Sequence, residues 1–222
     1  SPLTALSGFI ETLQGPAKDD KAAHERFLHL MEREAQRMNR LIGDLLSLSK
    51  VEVNERVRPT GTADVVSIVQ RIITTLSAQA EEDQKTIVFR HPGEVAAIPG
   101  DEDEILQVFQ NLIENAIKYG APDTEVSVTI DHVDGKAGVR GPALSIAVQD
   151  QGPGISNEHI PRLTERFYRV DDSRSRDIGG TGLGLAIVKH IISRHRGRLM
   201  IMSERDKGST FTVLLPITNV AS

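Results

Sequence analysis

Between Phe27 and Leu48 the apolar residues keep a seven-residue beat. Leu28, Met31, Ala35, Met38, Ile42 and Leu45 fall on the a and d positions of a heptad, flanked by Phe27, Leu41 and Leu48. Past about residue 53 the beat is lost. KTIVF reads as a short strand, EVSVTIDHV and LSIAVQD alternate like paired antiparallel strands, and GRLMIMSE and STFTVLLPI read as two more. A chain with this change of period must build a helical seam first and a sheet afterwards.

The helical region runs from Ser1 to Val53. Leu3, Leu6, Ile10 and Leu13 form an opening apolar stripe, and GPAKDD, with Gly15 and Pro16, breaks it. Two helices joined by a short turn make a hairpin, which leaves much of its seam wet. It buries that seam by pairing with a second copy as a four-helix bundle, or by packing on its own chain. Residues 54–60 read as a linker. From residue 61 to 222, the helices VVSIVQRIITTLSAQAEE, DEDEILQVFQNLIENAIKY and LGLAIVKHIISRH alternate with the strands, which predicts helices layered on a mostly antiparallel sheet, an α+β sandwich. The chain has no cysteine, which excludes disulfides and thiolate metal sites, and its net charge of −5 argues against a general nucleic-acid binder. No apolar run is long enough to cross a bilayer.

Three stretches of the second region carry chemistry. On the helix Ile105 to Tyr119, Asn111, Asn115 and Lys118 form a polar stripe opposite Ile105, Leu106, Phe109, Leu112, Ile113 and Ala116. Mid-helix Asn costs about 0.5 kcal/mol relative to Ala. The stripe is either a solvated face or a seat for a magnesium–phosphate group, since magnesium takes few protein oxygens and completes its shell with phosphates. LSIAVQD then runs into QGPGI. Asp150 at the strand end can accept from an adenine amine, and Gly152, Gly154 and Ile155 allow close backbone approach; the same residues also suit a tight turn. Third, Gly179, Gly180, Gly182 and Gly184 lead straight into a helix, where backbone N–H groups favour an anion. So glycine-rich a segment reads as a mobile lid, and no Gly-Lys-Ser/Thr makes it a P-loop. Between the second and third stretches, ERFYRVDDSRSRD offers Arg166 and Arg174 as partners for a phosphate.

Together and in this order, these residues resemble the ATP-binding domain of a sensor histidine kinase: NLIENAIKY the asparagine box, DQGPGI and GGTGLGL the two glycine boxes, ERFYRV the phenylalanine box, and GSTF the final strand motif. The hairpin resembles the family's dimerisation and phosphotransfer bundle. GFIETLQGPA, RMNRLIGDLLSLSKVE and SRSRDIGGTGLGLAIVKHI are most similar to phosphate-regulon sensor kinases. The resemblance implies an ATP-binding fold of the histidine kinase, gyrase and chaperone type, with ATP and Mg2+ as ligands. It places Asn115 on magnesium, and Asn111, Lys118 and Arg166 at the phosphates as catalytic groups. Tyr119 should lie near the sugar, and Asp150 on the adenine amine with Gly152, Gly154 and Ile155 around it. Gly180, Thr181, Gly182, Leu183 and Gly184 should line the phosphate side with Arg174 and Thr210, under a lid near residues 170 to 182.

In this family the phospho-accepting histidine opens a motif His-Glu-x-x-Ser/Thr-Pro-Leu. SPL stands here at the start of the chain, so the acceptor is expected four residues before Ser1, and Ser1 takes a position tied to phosphatase activity. None of the seven histidines has the acceptor context; His29 and His190 are expected to be partly buried and the others at the surface. The implied activity is transfer of the γ-phosphate from ATP to a bundle histidine, then to a response-regulator aspartate. The implied partners are a second copy and that regulator, with a membrane anchor upstream. A second reading is a dimeric docking or phosphatase module without kinase turnover, and a third an ATP-driven clamp.

Overall fold

The structure, a computed structural model, describes residues 2–54, 57–135, 138–170 and 180–217. Ser1, Arg174, Gly179 and most of the expected lid lie outside the described residues. Helices α1 (Pro2–Gln14) and α2 (Lys21–Val53) form the hairpin, with the rings of Phe9 and Phe27 meeting at 5.6 Å. Asp20 starts α2 by accepting from the Ala23 N–H, a cap worth about 1 kcal/mol. Most of the heptad seam faces solvent, with Leu28, Ile42 and Leu45 each about half exposed. Only its end is covered: Leu48 and Val51 join the core of the second region. His29 is fully on the surface beside Glu32, because the seam next to it is itself uncovered in the single chain.

The second region contains β1 (Thr62–Ala63), α3 (Val65–Glu82), β2 (Lys85–Arg90), β3 (Ile98–Pro99), α4 (Glu102–Tyr119), β4 (Thr124–Asp134), β5 (Pro142–Asp150), α5 (Gly184–Arg194), β6 (Arg198–Glu204) and β7 (Gly208–Pro216). Five strands form one sheet in the order β2-β4-β5-β7-β6, antiparallel except for the β2–β4 pair. The apolar faces of α3, α4 and α5 lie on this sheet and share one core with it, including Ile68, Phe109, Ile113, Ile146, Ile187 and Val213. Asp64 and Asp101 cap α3 and α4 as Asp20 caps α2. The two-residue ladder β1–β3 is the one sheet element that the sequence pattern does not announce.

The register gives the second region two distinct ends. Across β5 and β7, Asp150 pairs with Ser209 at one end and Ala143 with Pro216 at the other. α4 finishes at the Asp150 end, where Gly152 abuts the Tyr119 carbonyl. Its start lies at the other end, where His195 bridges two helices: His195 Nε2 accepts from the Asp101 N–H at 3.1 Å while Nδ1 donates to the Ile191 carbonyl at 2.8 Å. His195 is therefore buried, contrary to its expected place at the surface. Its imidazole is held neutral, with burial lowering its pKa.

Candidate nucleotide-binding site

Asp150 closes β5 and is only 4% exposed. Its Oδ1 accepts from the Gly152 N–H at 2.8 Å. A Cβ on Gly152 would collide with the Tyr119 carbonyl, so glycine lets the turn close over the end of α4. The acid thus sits in a notch between a helix end and a turn. Burial raises its pKa, opposed by the N–H groups of Gly152 and Ser209.

The polar stripe of α4 runs away from this notch. Asn111 donates through Nδ2 to the Gln107 carbonyl at 2.9 Å, leaving Oδ1 toward Gly184 at the start of α5. Asn115 is half-buried one turn on. Lys118 Nζ lies 5.2 Å from the Tyr119 ring centroid. Gly180 is adjacent: a Cβ there would lie 3.0 Å from Lys118 Nζ and 3.5 Å from the Tyr119 hydroxyl. Gly182, at φ +74°, accepts from the Phe167 N–H through its carbonyl at 2.9 Å. The Leu183 side chain is buried in the core, and its N–H donates to Thr181 Oγ1 at 3.2 Å. Farther along the turn, the Ile155 N–H donates to Ser203 Oγ at 2.8 Å, Gly154 abuts the Glu204 carbonyl, and Thr210 pairs with Gln149 across β5 and β7. Gly152 and Gly180 therefore lie at the end of α4, at Tyr119 and Lys118, and Gly184 lies beside Asn111 in its second half.

Charge in this region is unbalanced. The Lys118 pKa is lowered to about 8, first by burial and then by the guanidinium groups of Arg169 and Arg40. Among the described residues the buried Nε and Nη2 of Arg169 have no hydrogen-bond partner, and leaving buried donors unpaired is costly. A cluster of this kind fits a polyphosphate. From the arginines of this stretch the sequence singles out Arg166 and Arg174 rather than Arg169, whose nearness to Lys118 only the fold brings out. Arg166 itself is held by Glu52 of α2. Thr181 Oγ1 donates to Asp44 Oδ2 of α2 at 2.6 Å, and Ser47 donates to Gln107 at 2.7 Å. Two expected phosphate partners, Arg166 and Thr181, thus hold hairpin carboxylates. Among the described residues no group of three His, Asp or Glu side chains could hold a metal. A magnesium ion here would rest on amide oxygens such as that of Asn115, with phosphate oxygens and water completing its shell.

Residues 100–219 match the family described as histidine kinase-, DNA gyrase B- and HSP90-like ATPase, and residues 1–54 match the His Kinase A phospho-acceptor domain. The chain belongs to that ATPase family. With the phospho-acceptor domain ahead of it, the chain is the catalytic core of a sensor histidine kinase, with an ATP-binding domain. It is 39% identical over 215 residues to the phosphate regulon sensor protein PhoR of Pseudomonas aeruginosa, covering 96% of this chain and 46% of that protein. It is 38% identical to the sensor-like histidine kinase SenX3 of Mycolicibacterium smegmatis, covering 97% of this chain and 54% of the relative. It thus spans about half the length of these relatives. Among solved structures, the Acinetobacter baumannii histidine kinase AdeS superposes with a TM-score of 0.74 at 24% identity, over 99% of this chain and 96% of that one. A complex of histidine kinase ThkA with response regulator TrrA gives a TM-score of 0.76 at 21% identity, covering 98% of this chain and 58% of that one. Both likenesses show the fold.

Proposed function

We propose that the chain binds Mg·ATP at the Asp150 end of the second region and transfers the γ-phosphate to a histidine of the helical bundle, from which it passes to an aspartate of a response regulator. In this reading residues 1–53 form the dimerisation and phosphotransfer hairpin, 54–60 the linker, and 61–222 the catalytic domain. The observation that carries it is the half-buried cation pair of Lys118 and Arg169, in which two buried guanidinium nitrogens of Arg169 find no hydrogen-bond partner among the described residues, beside the Asn111 stripe and the glycines that open α5. Asp150 orients the adenine; Lys118 and Arg169 neutralise charge on the phosphates; Asn111 and Asn115 hold the metal side. Asn115 would be the chief protein group holding a magnesium ion, which when bound would supply charge neutralisation at the phosphates. The protein supplies positioning and charge.

The half-exposed seam of α2 supports pairing with a second copy as a four-helix bundle. The similarity to PhoR and SenX3 supports reading this core as the cytoplasmic portion of a membrane-anchored sensor. No helix of the described residues is long and apolar enough to cross a membrane.

The test mixes this chain with labelled ATP, magnesium and a separate hairpin carrying the full His-Glu-x-x-Ser-Pro motif. Acid-labile label on the added hairpin is the expected result. ATP bound with no label on either chain sinks the kinase reading and favours the docking or phosphatase module.

The contacts of α2 allow a second prediction. Asp44 and Glu52 occupy Thr181 and Arg166, so binding competes with them. Asp44→Ala with Glu52→Ala should tighten ATP binding about three- to tenfold, by raising the fraction of competent protein. Titration calorimetry reads this directly; unchanged or weaker affinity shows that the two carboxylates do not compete with phosphate.

A further inference from the structure

The end of the second region opposite Asp150 has a cavity that the nucleotide reading leaves unused. Its volume is about 180 Å3. Arg58 and Pro59 of the linker, Pro99 of β3, Arg140 before β5, Arg194 at the end of α5 and Arg196 just after it all line it. From Ala143 to Asp150 along β5 the two ends are about 24 Å apart, at about 3.4 Å per residue. No phosphate held near Lys118 reaches so far.

The lining is unusual in a chain of net charge −5: four arginines from three separate segments turn to one small space. A fifth is close by, since a Cβ on Gly138 of the same lining would lie 2.9 Å from Arg198 Nη1. Two of the four, Arg194 and Arg196, are spoken for. Arg194 is nearly buried, pairs with Glu104, and donates through Nε to the Val57 carbonyl at 2.7 Å. Arg58 and Arg140 are exposed and form no ion pair with a described residue. His195 in the wall is neutral, with both nitrogens already in use, so it adds neither charge nor a free donor. Prolines with fixed φ stiffen the rim, so Arg58 and Arg140 line a space whose backbone walls are preformed. Guanidinium groups recognise oxyanions through paired N–H donors, and like charges gathered in one place are relieved by a shared counter-ion.

We infer that this cavity binds a small multivalent oxyanion, of the phosphate or polycarboxylate class, and that occupancy ties the linker to the ATP-binding domain. The linker supplies Arg58 and the Val57 carbonyl that Arg194 holds, so an anion on Arg58 and Arg140 joins the entry of the chain to the β4–β5 connection. The site is separate from the nucleotide site, and its existence does not depend on the kinase reading.

The test is an NMR titration of the whole chain at fixed ionic strength, with inorganic pyrophosphate in one arm, citrate in another and sodium chloride as the screening control. Amides of Val139 and Arg196 report on the cavity; those of Gly152 and Gly182 report on the nucleotide site. Saturable shifts at Val139 and Arg196 with either polyanion are expected, and pyrophosphate alone acting assigns the phosphate class. Arg58→Ala with Arg140→Ala should weaken that binding at least tenfold and leave ATP affinity unchanged. Both are exposed, and unaltered Gly152 and Gly182 signals check that the fold persists. Shifts confined to Gly152 and Gly182, shifts matched by chloride, or undiminished binding by the double variant each overturn the inference.

Discussion

Replacing Asp150 with Asn weakens ATP binding about 10- to 100-fold, and the nucleotide-free protein becomes no less stable. The first effect follows from removing a charged acceptor in a dry notch, where such a hydrogen bond is worth about 1.5–3 kcal/mol. The second follows from burial. The folded-state pKa of Asp150 lies above its ordinary value of 3.8. The folded chain therefore binds this proton more readily than the unfolded chain. Stability from this group is highest at low pH and falls as pH rises from the ordinary value through the raised one. Asn removes that ionisation while keeping the shape, and its amide oxygen still accepts from Gly152. Calorimetric titration gives the affinity, and denaturant melts on either side of the window give the stability. Unchanged affinity removes Asp150 from the adenine contact; a large loss of stability makes it a structural residue of the turn.

Substituting Lys118 with Met lowers ATP affinity by about tenfold or more and abolishes proton uptake on binding. In the free protein its pKa stands at about 8, below the ordinary 10.5, because burial and the Arg169 and Arg40 charges disfavour the ammonium. The unfolded chain holds this proton more tightly, so stability rises with pH between about 8 and 10.5. Phosphate oxygens reverse the balance by stabilising the charged form. Near pH 9, ATP binding therefore takes up close to one proton, read from the dependence of binding heat on buffer ionisation enthalpy. The Met variant takes up none. Zero uptake by the unaltered chain places Lys118 away from the phosphates.

Much of this geometry is written locally. The helices α3, α4 and α5 follow from apolar residues at helical spacing, with Asp64 and Asp101 where caps belong. The strands follow from alternation, and their mostly antiparallel pairing from the turns between them. Asp150 meets Gly152 as the motif spacing implies, because a turn two residues long fixes the pair. The misses are long-range. Arg169 gains its meaning from Lys118, far away in the chain, and Arg166 is taken by Glu52. His195 looks like a solvent residue in sequence, yet it joins the start of α4 to the end of α5. Each of these depends on what packs opposite, which no local period records.

The attachment of α2 has a mechanical consequence. This helix has 33 residues, a rod about 50 Å long at about 1.5 Å per residue, and only its last turns grip the ATP-binding domain. Asp44, Leu48, Val51 and Glu52 share one side of it. Twisting the rod about its own axis therefore carries both carboxylates off Thr181 and Arg166 in a single motion, whereas a slide by less than one turn leaves them facing the same surface. Torque delivered at the far end of the hairpin is the input that this joint transmits.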